Sequence, residues 1–268
     1  MLNFNMFSRA FAHAPSSTWY KKSDFITWDY GSKDNNITFY LDSDMIHAIN
    51  EKNDGKRKFL WGLESPHFND DFINRVKNNL PSVLDTFDLI FTYSDELLSL
   101  DPKFVFCPAM GYWIDEPKIY KKTKLVSMIC SDKQITEQQR FRASFALSNL
   151  DKIDVFGHIH NPIQKKEEGL NDYMFSVCIE NGTYDTYFTE KLLDAFATGT
   201  IPIYKGTRNV VNHFNSEGIL FLDDINIDDL TEDLYYSKLD FVKENFEKVK
   251  ELDILENWMY KNYLKNIL

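Results

Sequence analysis

The run from Phe175 to Gly206 constrains this chain more than any other stretch of it. Phe175-Ser-Val-Cys-Ile179 is short, apolar and β-prone, and Glu180-Asn181-Gly182 ends it with a turn signal. From Thr189 the apolar residues Leu192, Leu193, Phe196 and Ala197 recur at helical spacing, Gly199 is placed to stop the helix, and Ile201-Pro-Ile-Tyr204 starts a second strand. A strand, a polar loop, a helix and a strand in this order collect polar residues at one end of the unit. In an open α/β sheet that end binds ligands, because N–H groups at a helix N-terminus are unpaired and favour negative charge. Lys191 lies in that first turn, where the helix dipole disfavours a cation. It is either an ordinary solvated lysine or one that shares an anion, such as a phosphate, with the helix.

The remainder of the chain repeats the same alternation. Strand-like runs are expected at Phe25–Trp28, Ile37–Leu41, Phe59–Leu63, Phe87–Thr92 and Phe104–Cys107, with a helix over residues 70–80. After the charged, Pro-interrupted segment Asp115-Glu-Pro-Lys-Ile-Tyr-Lys-Lys-Thr-Lys124, a linker candidate, the pattern resumes. It runs through a strand at Lys124–Cys130, a helix at Glu137–Leu150, a strand at Ile153–Phe156 and a last strand at Gly218–Leu222. From Lys238 the chain reads as helical to its end, broken near Asp253, with Leu239, Val242, Phe246, Val249 and Leu252 on one stripe and Leu255, Trp258 and Met259 continuing it. Alternation of this kind implies mainly parallel sheets, and 268 residues allow two such domains. The division predicted is 1–117 and 118–268, with the C-terminal helices in the second.

Composition narrows the function classes. With 22 Phe and 14 Tyr and 43% hydrophobic residues, disorder and fibrous structure are excluded. Forty-one acidic against 30 basic side chains give a net charge of −11, the wrong sign for a general nucleic-acid or anionic-membrane binder. Cys107, Cys130 and Cys178 lack any metal or disulfide spacing, which fits a reducing compartment. The N-terminus shows no signal pattern and no window approaches eighteen apolar residues, so a soluble cytoplasmic chain is expected.

Several polar groups carry two readings each. Asp42-Ser43-Asp44, directly after a strand, either holds a divalent metal on its carboxylates or caps the helix that begins at Met45. Glu64, at the end of the Phe59–Leu63 run, is either a turn residue before Pro66 or a carboxylate raised by burial into the range of a general base. His158 and His160 have metal-ligand spacing for a strand, but no partner at a recognised distance in sequence.

Three segments taken together carry a resemblance. Phe175-Ser-Val-Cys-Ile-Glu-Asn181, Tyr187-Phe-Thr-Glu-Lys191 and Gly199-Thr-Ile-Pro-Ile-Tyr-Lys-Gly206 closely resemble, in order, the signature of glycosyltransferase family 10, the α-1,3-fucosyltransferases. The departures are Ile179 for the usual Phe and Phe188 for the usual Ile or Val. Phe59-Leu-Trp-Gly-Leu-Glu-Ser-Pro66 looks like the family's first-domain Phe-Glu-Ser-Pro, and Arg142 before Ile153-Asp-Val-Phe-Gly157 looks like the arginine that precedes its Val-Asp-Val-Tyr-Gly strand. The resemblance spans residues 59 to 223 and leaves 1–50 and the C-terminal helices uncovered.

What the resemblance implies is a GT-B architecture, two Rossmann-like domains facing a central cleft, the first binding acceptor and the second the nucleotide sugar. It implies transfer of L-fucose from GDP-fucose, with inversion, to a hydroxyl of N-acetylglucosamine in a glycan, by a soluble form of bacterial or viral type. Arg142 and Lys191 then suit the diphosphate, with Arg140 as Arg142's competitor, and no metal is required because two cations neutralise the leaving group. Glu190 would accept hydrogen bonds from ribose or sugar, Asn181 and Tyr187 would line the nucleotide site, and Glu64 would be the base in an in-line displacement. Glu180 belongs to the same motif, and its alternation with Asn181 points it into the fold. Rival readings keep the fold with another nucleotide sugar, or make the chain a glycan-binding homologue without transfer activity.

Overall fold

The structure, a computed structural model, describes every residue except 10, 11, 13, 19, 20, 31–34, 52–54, 66–71, 110 and 185. Pro66 and the first two residues of the helix expected at 70–80 therefore lie outside the described residues. The chain divides into two compact units, Met1–Gly111 with Asp253–Leu268, and Tyr112–Leu252.

The first unit has a six-stranded sheet of β1 (Leu2–Met6), β2 (Ile26–Asp29), β3 (Ile37–Leu41), β4 (Arg57–Trp61), β5 (Leu89–Thr92) and β6 (Phe104–Phe106), in the order β2-β1-β3-β4-β5-β6. Every pairing in it is parallel. Parallel strands need crossovers, and from β3 to β6 they carry helices α1 (Met45–Asn50), α2 (Phe72–Asn78), α3 (Leu80–Thr86) and α4 (Asp95–Leu98). Alternation along β4 sends Phe59 and Trp61 to one face and Leu60 to the other, so the sheet is buried on both sides. β1 is absent from the sequence-based expectations, yet it is an interior strand.

The second unit has β7 (Lys124–Ile129), β8 (Asp154–Phe156), β9 (Tyr173–Ile179), β10 (Ile201–Lys205) and β11 (Leu220–Phe221) in the order β11-β10-β9-β7-β8, again all parallel. Helices α5 (Glu137–Ser148), α6 (Glu190–Ala197), α7 (Glu232–Ser237) and α8 (Leu239–Lys250) accompany it. β9 is the central strand and all seven of its residues are buried. Gly199 stops α6 at φ +72°, a conformation that favours glycine, and a Cβ there would lie 2.8 Å from Ile119 Cγ2.

Two expectations about organisation are corrected. The C-terminal segment belongs to the first unit, not the second: α9 (Leu255–Met259) buries Leu255 and Met259 in the core that holds Phe39, Phe59 and Trp61. Buried Glu256 accepts Ser17 N–H at 2.7 Å and the Trp28 indole N–H at 2.9 Å, and Asn257 accepts Ser23 Oγ at 2.7 Å. An apolar stripe continuing across Asp253 hides this change of partner. The charged segment 115–124 is also no free tether. Lys118 N–H reaches Ala197 C=O at 2.9 Å, and the buried Lys122 ammonium reaches Leu170, Asn171 and Thr198 carbonyls and Thr200 Oγ1 at 2.8–3.2 Å. Among the described residues no helix is long and apolar enough to cross a membrane.

Candidate functional site

The site is built where β9 ends. Strand alternation turns Glu180 inward, and it is fully buried. A buried carboxylate needs partners, and it finds them in the N-cap of α6: Thr189 N–H at 2.8 Å and Thr189 Oγ1–H at 2.7 Å. Lys191 Nζ adds a contact at 3.5 Å. Burial pushes the Glu180 carboxyl above the usual range, with Lys191 opposing it. Glu180 thus ties the strand end to the helix start, which fixes the direction in which Glu190 and Lys191 leave α6.

Those two side chains are paired at 3.2 Å, and Lys191 also lies 3.1 Å from Thr189 Oγ1. Burial works to raise the Glu190 carboxyl, but Lys191 and Lys166 together overcome it and hold it down at about 2. Burial likewise works against the Lys191 ammonium, and Glu190 and Glu180 outweigh it, so its pKa lies above the ordinary lysine value. Both groups are therefore charged across the neutral range. The cation that the helix dipole disfavours is held by carboxylates on either side of it.

Arg142 comes from α5, whose capping box joins Thr136 and Gln139 and whose start is tied to the β9 loop by Thr136 Oγ1–H to Asn181 C=O at 3.0 Å. The guanidinium is 5% exposed; one nitrogen donates to Ile179 C=O and to Asn181 Oδ1, both at 3.0 Å, and a second reaches Ser131 Oγ at 3.4 Å. Its Nε–H has no partner among the described residues. Arg140, the competitor, is exposed and donates to Gln134 and Ile135 carbonyls, whereas Arg142 lines a pocket.

Arg142, Glu190 and Lys191 line one pocket of about 180 Å³, together with Ser131, Lys166 and Asp194. Lys166 Nζ lies 2.6 Å from Asp194 Oδ2 and 3.6 Å from Glu190 Oε1, over the Trp113 ring at 4.7 Å from its centroid. Asp194 Oδ1 accepts Trp113 N–H at 2.5 Å, and burial pushes the Asp194 carboxyl up to about 6 despite Lys166. Charges therefore alternate from Asp194 through Lys166, Glu190 and Lys191 to Glu180.

The other residues singled out in the sequence fall elsewhere. Asn181 stands behind the pocket as the partner of Arg142, and Tyr187 is 2% exposed, edge-on to Tyr184 at 6.0 Å, outside the pocket walls. Glu64 lies in the first unit, half-buried after β4, its backbone N–H 3.3 Å from Asp42 Oδ1 and its carbonyl accepting Tyr93 O–H at 2.8 Å. Asp42 neither caps α1 nor pairs with Asp44: at φ +45° it points to the chain after β4, accepting Leu63 N–H at 2.8 Å, while Asp44 accepts Ser8 Oγ–H. Asp42 thus holds the backbone that carries Glu64. His158 and His160 are exposed, and among the described residues no three His, Cys, Asp or Glu side chains are placed to hold a metal.

Sequence reasoning missed Lys166 and Asp194. Asp194 had a signal: it is the one carboxylate in the apolar run Leu192–Ala197, four residues after Glu190 and hence on the same helix face. Lys166 had none, being one of several charged residues in Lys165-Lys-Glu-Glu168. Chemically, a pocket with a guanidinium N–H to spare, an ammonium and a helix N-terminus is suited to a polyanion, and ionised Glu190 to hydroxyl donors.

Comparison with known proteins agrees with this chemistry. Residues 119–249 match the family model described as "Glycosyltransferase family 10 (fucosyltransferase) C-term". The chain is 32% identical over 111 residues to the alpha-(1,3)-fucosyltransferase FucT of Helicobacter pylori, a match over 37% of this chain and 23% of that protein. It is 28% identical over 156 residues to the 4-galactosyl-N-acetylglucosaminide 3-alpha-L-fucosyltransferase FUT5 of Gorilla gorilla gorilla, covering 57% of this chain and 39% of the relative. The chain therefore spans less than half the length of either. Crystal structures of an alpha1,3-fucosyltransferase, one of them with GDP-fucose, superpose on 98–99% of the chain and 87–89% of theirs with TM-scores of 0.52–0.53 at 17% identity. At that identity they establish the fold, an α/β, GT-B-like arrangement of two parallel sheets.

Proposed function

We propose that this chain, whose residues 119–249 match the glycosyltransferase family 10 model, is an inverting fucosyltransferase that takes L-fucose from GDP-fucose to a hydroxyl, that of N-acetylglucosamine in a glycan. The observation that carries the reading is that Arg142, a buried arginine, lines one pocket with Lys191 at the start of α6. As the sugar leaves, charge builds on the diphosphate, and preorganised donors lower that barrier where they exclude water. Arg142 is preorganised by Ile179 and Asn181, and Lys191 by Thr189 and two carboxylates.

Glu190, held ionised, accepts hydroxyl hydrogen bonds of ribose or fucose. Asn181 contributes by fixing Arg142, and Tyr187 by packing the loop that leads into Thr189. Glu64 is the proposed base, deprotonating the acceptor hydroxyl; Asp42 and Tyr93 support it by gripping its backbone. Arg142 and Lys191 supply positive charge where a metal would otherwise be needed, so GDP is expected to bind in the presence of a chelator. Three free, buried thiols support a cytoplasmic location. The test is a screen of the purified chain against GDP-, UDP- and ADP-sugars, by thermal shift and hydrolysis, followed by transfer to N-acetylglucosamine glycans with the product anomer assigned by NMR. A response confined to GDP-fucose supports the reading; a response to UDP- or ADP-sugars alone reassigns the donor, and retention at the anomeric carbon removes the single-displacement role of Glu64.

A further inference from the structure

We propose that Lys166 is a third cation for the diphosphate, with Asp194 as the partner it exchanges for a phosphate oxygen. This rests on the donor reading of the same pocket. Three cations, Arg142, Lys166 and Lys191, stand in that pocket, and three carboxylates, Asp194, Glu190 and Glu180, stand in or directly behind it. An entering diphosphate adds two or three negative charges to this balanced set, so at least one internal ion pair must open for it.

The three cations differ in how firmly they are held. Arg142 is fixed by a carbonyl, an amide and a hydroxyl oxygen, and Lys191 by a hydroxyl and two carboxylates. Among the described residues Lys166 has its two carboxylates and the face of Trp113; it reaches in from a single 3-10 turn, Lys166–Gly169, on a flexible four-carbon stem. It is the cation free to turn. Its partner is equally suited to release it: Asp194 keeps Trp113 N–H on its other oxygen when Lys166 leaves. The groups facing Asp194 are Lys166, Glu190 and the buried Cys178 thiol, and burial makes its carboxyl ready to take a proton. Opening the Lys166–Asp194 pair therefore strands no charge that protonation cannot neutralise.

Calorimetric titration with inorganic pyrophosphate, GDP and guanosine, on the full chain and three variants, tests this. Lys166→Met is expected to weaken pyrophosphate and GDP by roughly 10-fold or more and to leave guanosine unchanged, and Lys166→Arg to restore most of the loss. Asp194→Asn, which keeps the acceptor for Trp113, is expected to strengthen both phosphates by roughly 3-fold by releasing Lys166. A merely structural pair predicts the opposite sign for Asp194→Asn. Weaker pyrophosphate binding in that variant at an unchanged melting temperature, or equal losses for GDP and guanosine in Lys166→Met, overturns the proposal. If the wild-type chain ignores GDP but binds pyrophosphate in a Lys166-dependent way, the donor reading fails and this one stands; a chain that binds neither refutes both.

Discussion

Two lysines at opposite ends of the second unit's sheet, Lys122 buried and Lys191 with 22% of its side chain exposed, show how partners decide what a cation can do. Lys122 sits where β7, β9 and β10 begin; its acceptors are three backbone carbonyls and a hydroxyl, all neutral and none able to move. Lys191 sits where β9 ends and α6 begins, and its main partners are carboxylates, Glu190 and Glu180. Burial pulls the Lys122 ammonium down to about 7, with Asp172 opposing, whereas the carboxylates raise Lys191. A phosphate offers Lys191 the same kind of oxygen it already has. It offers Lys122 nothing that three carbonyls would not lose. One cation staples the strand starts together, and the other is available for chemistry.

The contrast can be broken by exchange of effects. The largest expected effect is Lys191→Met, which should lower turnover with GDP-fucose by about 10²–10³-fold, with a smaller change in melting temperature than Lys122→Met. Lys122→Met should do the reverse, lowering stability by about 2–4 kcal/mol through orphaned carbonyls while the folded fraction keeps its rate within about 2-fold; denaturant melts beside steady-state assays read both. Should Lys122→Met remain as stable as the parent, the staple assignment is wrong. Arg142→Lys comes next, with GDP binding weaker by roughly 10-fold, because a point charge cannot serve Ile179 C=O, Asn181 Oδ1 and a phosphate at once.

The smallest effect concerns pH and belongs to Asp194. Its carboxyl is raised to about 6 when folded and is ordinary when unfolded. Between about pH 4 and 6 the folded state therefore binds more protons, so this group's contribution falls as pH rises through that window. Glu190, held at about 2, acts in the opposite sense at lower pH: its stabilisation is complete above the ordinary glutamate range and is lost as pH falls toward 2. Asp194→Asn should flatten the dependence of melting temperature on pH between 4.5 and 6 by about 1–2 °C. An unaltered slope would show that Asp194 does not titrate there.

What could be read from sequence follows the same division between local and non-local partners. β9, α6 and β10 were legible because each carries its own periodicity, and Gly199 its own stop signal. β1 was not: Leu2-Asn-Phe-Asn-Met6 alternates apolar and polar residues, but an interior strand normally reads as continuously apolar. Here buried Asn5 is reconciled with the interior by Asn35 and Thr38, thirty and more residues away, through bonds at 2.9–3.2 Å. Segment 115–124 misled for a related reason, since nothing local shows that Lys122 is consumed by three carbonyls from two distant turns. In the candidate site, Arg142, Glu190 and Lys191, picked out by a motif, line one pocket, whereas Asn181 from the same motif stands behind it as a partner of Arg142. Lys166 enters only through tertiary proximity, and Asp42's grip on the chain at Leu63 and Glu64 likewise appears only once β3 and β4 lie side by side.

The return of Asp253–Leu268 to the first unit has a bearing on the order of events during synthesis. Domains generally fold from the N-terminus as they emerge, at about 5–20 residues per second. In this chain the first unit is made first but lacks Leu255, Met259 and Glu256 until the whole second unit has been translated, a delay of roughly 10–30 s. The second unit, Tyr112–Leu252, has all of its residues before its predecessor does. The half with the later sequence is thus the one able to fold first, and the earlier half waits with one face of its sheet short of its final cover.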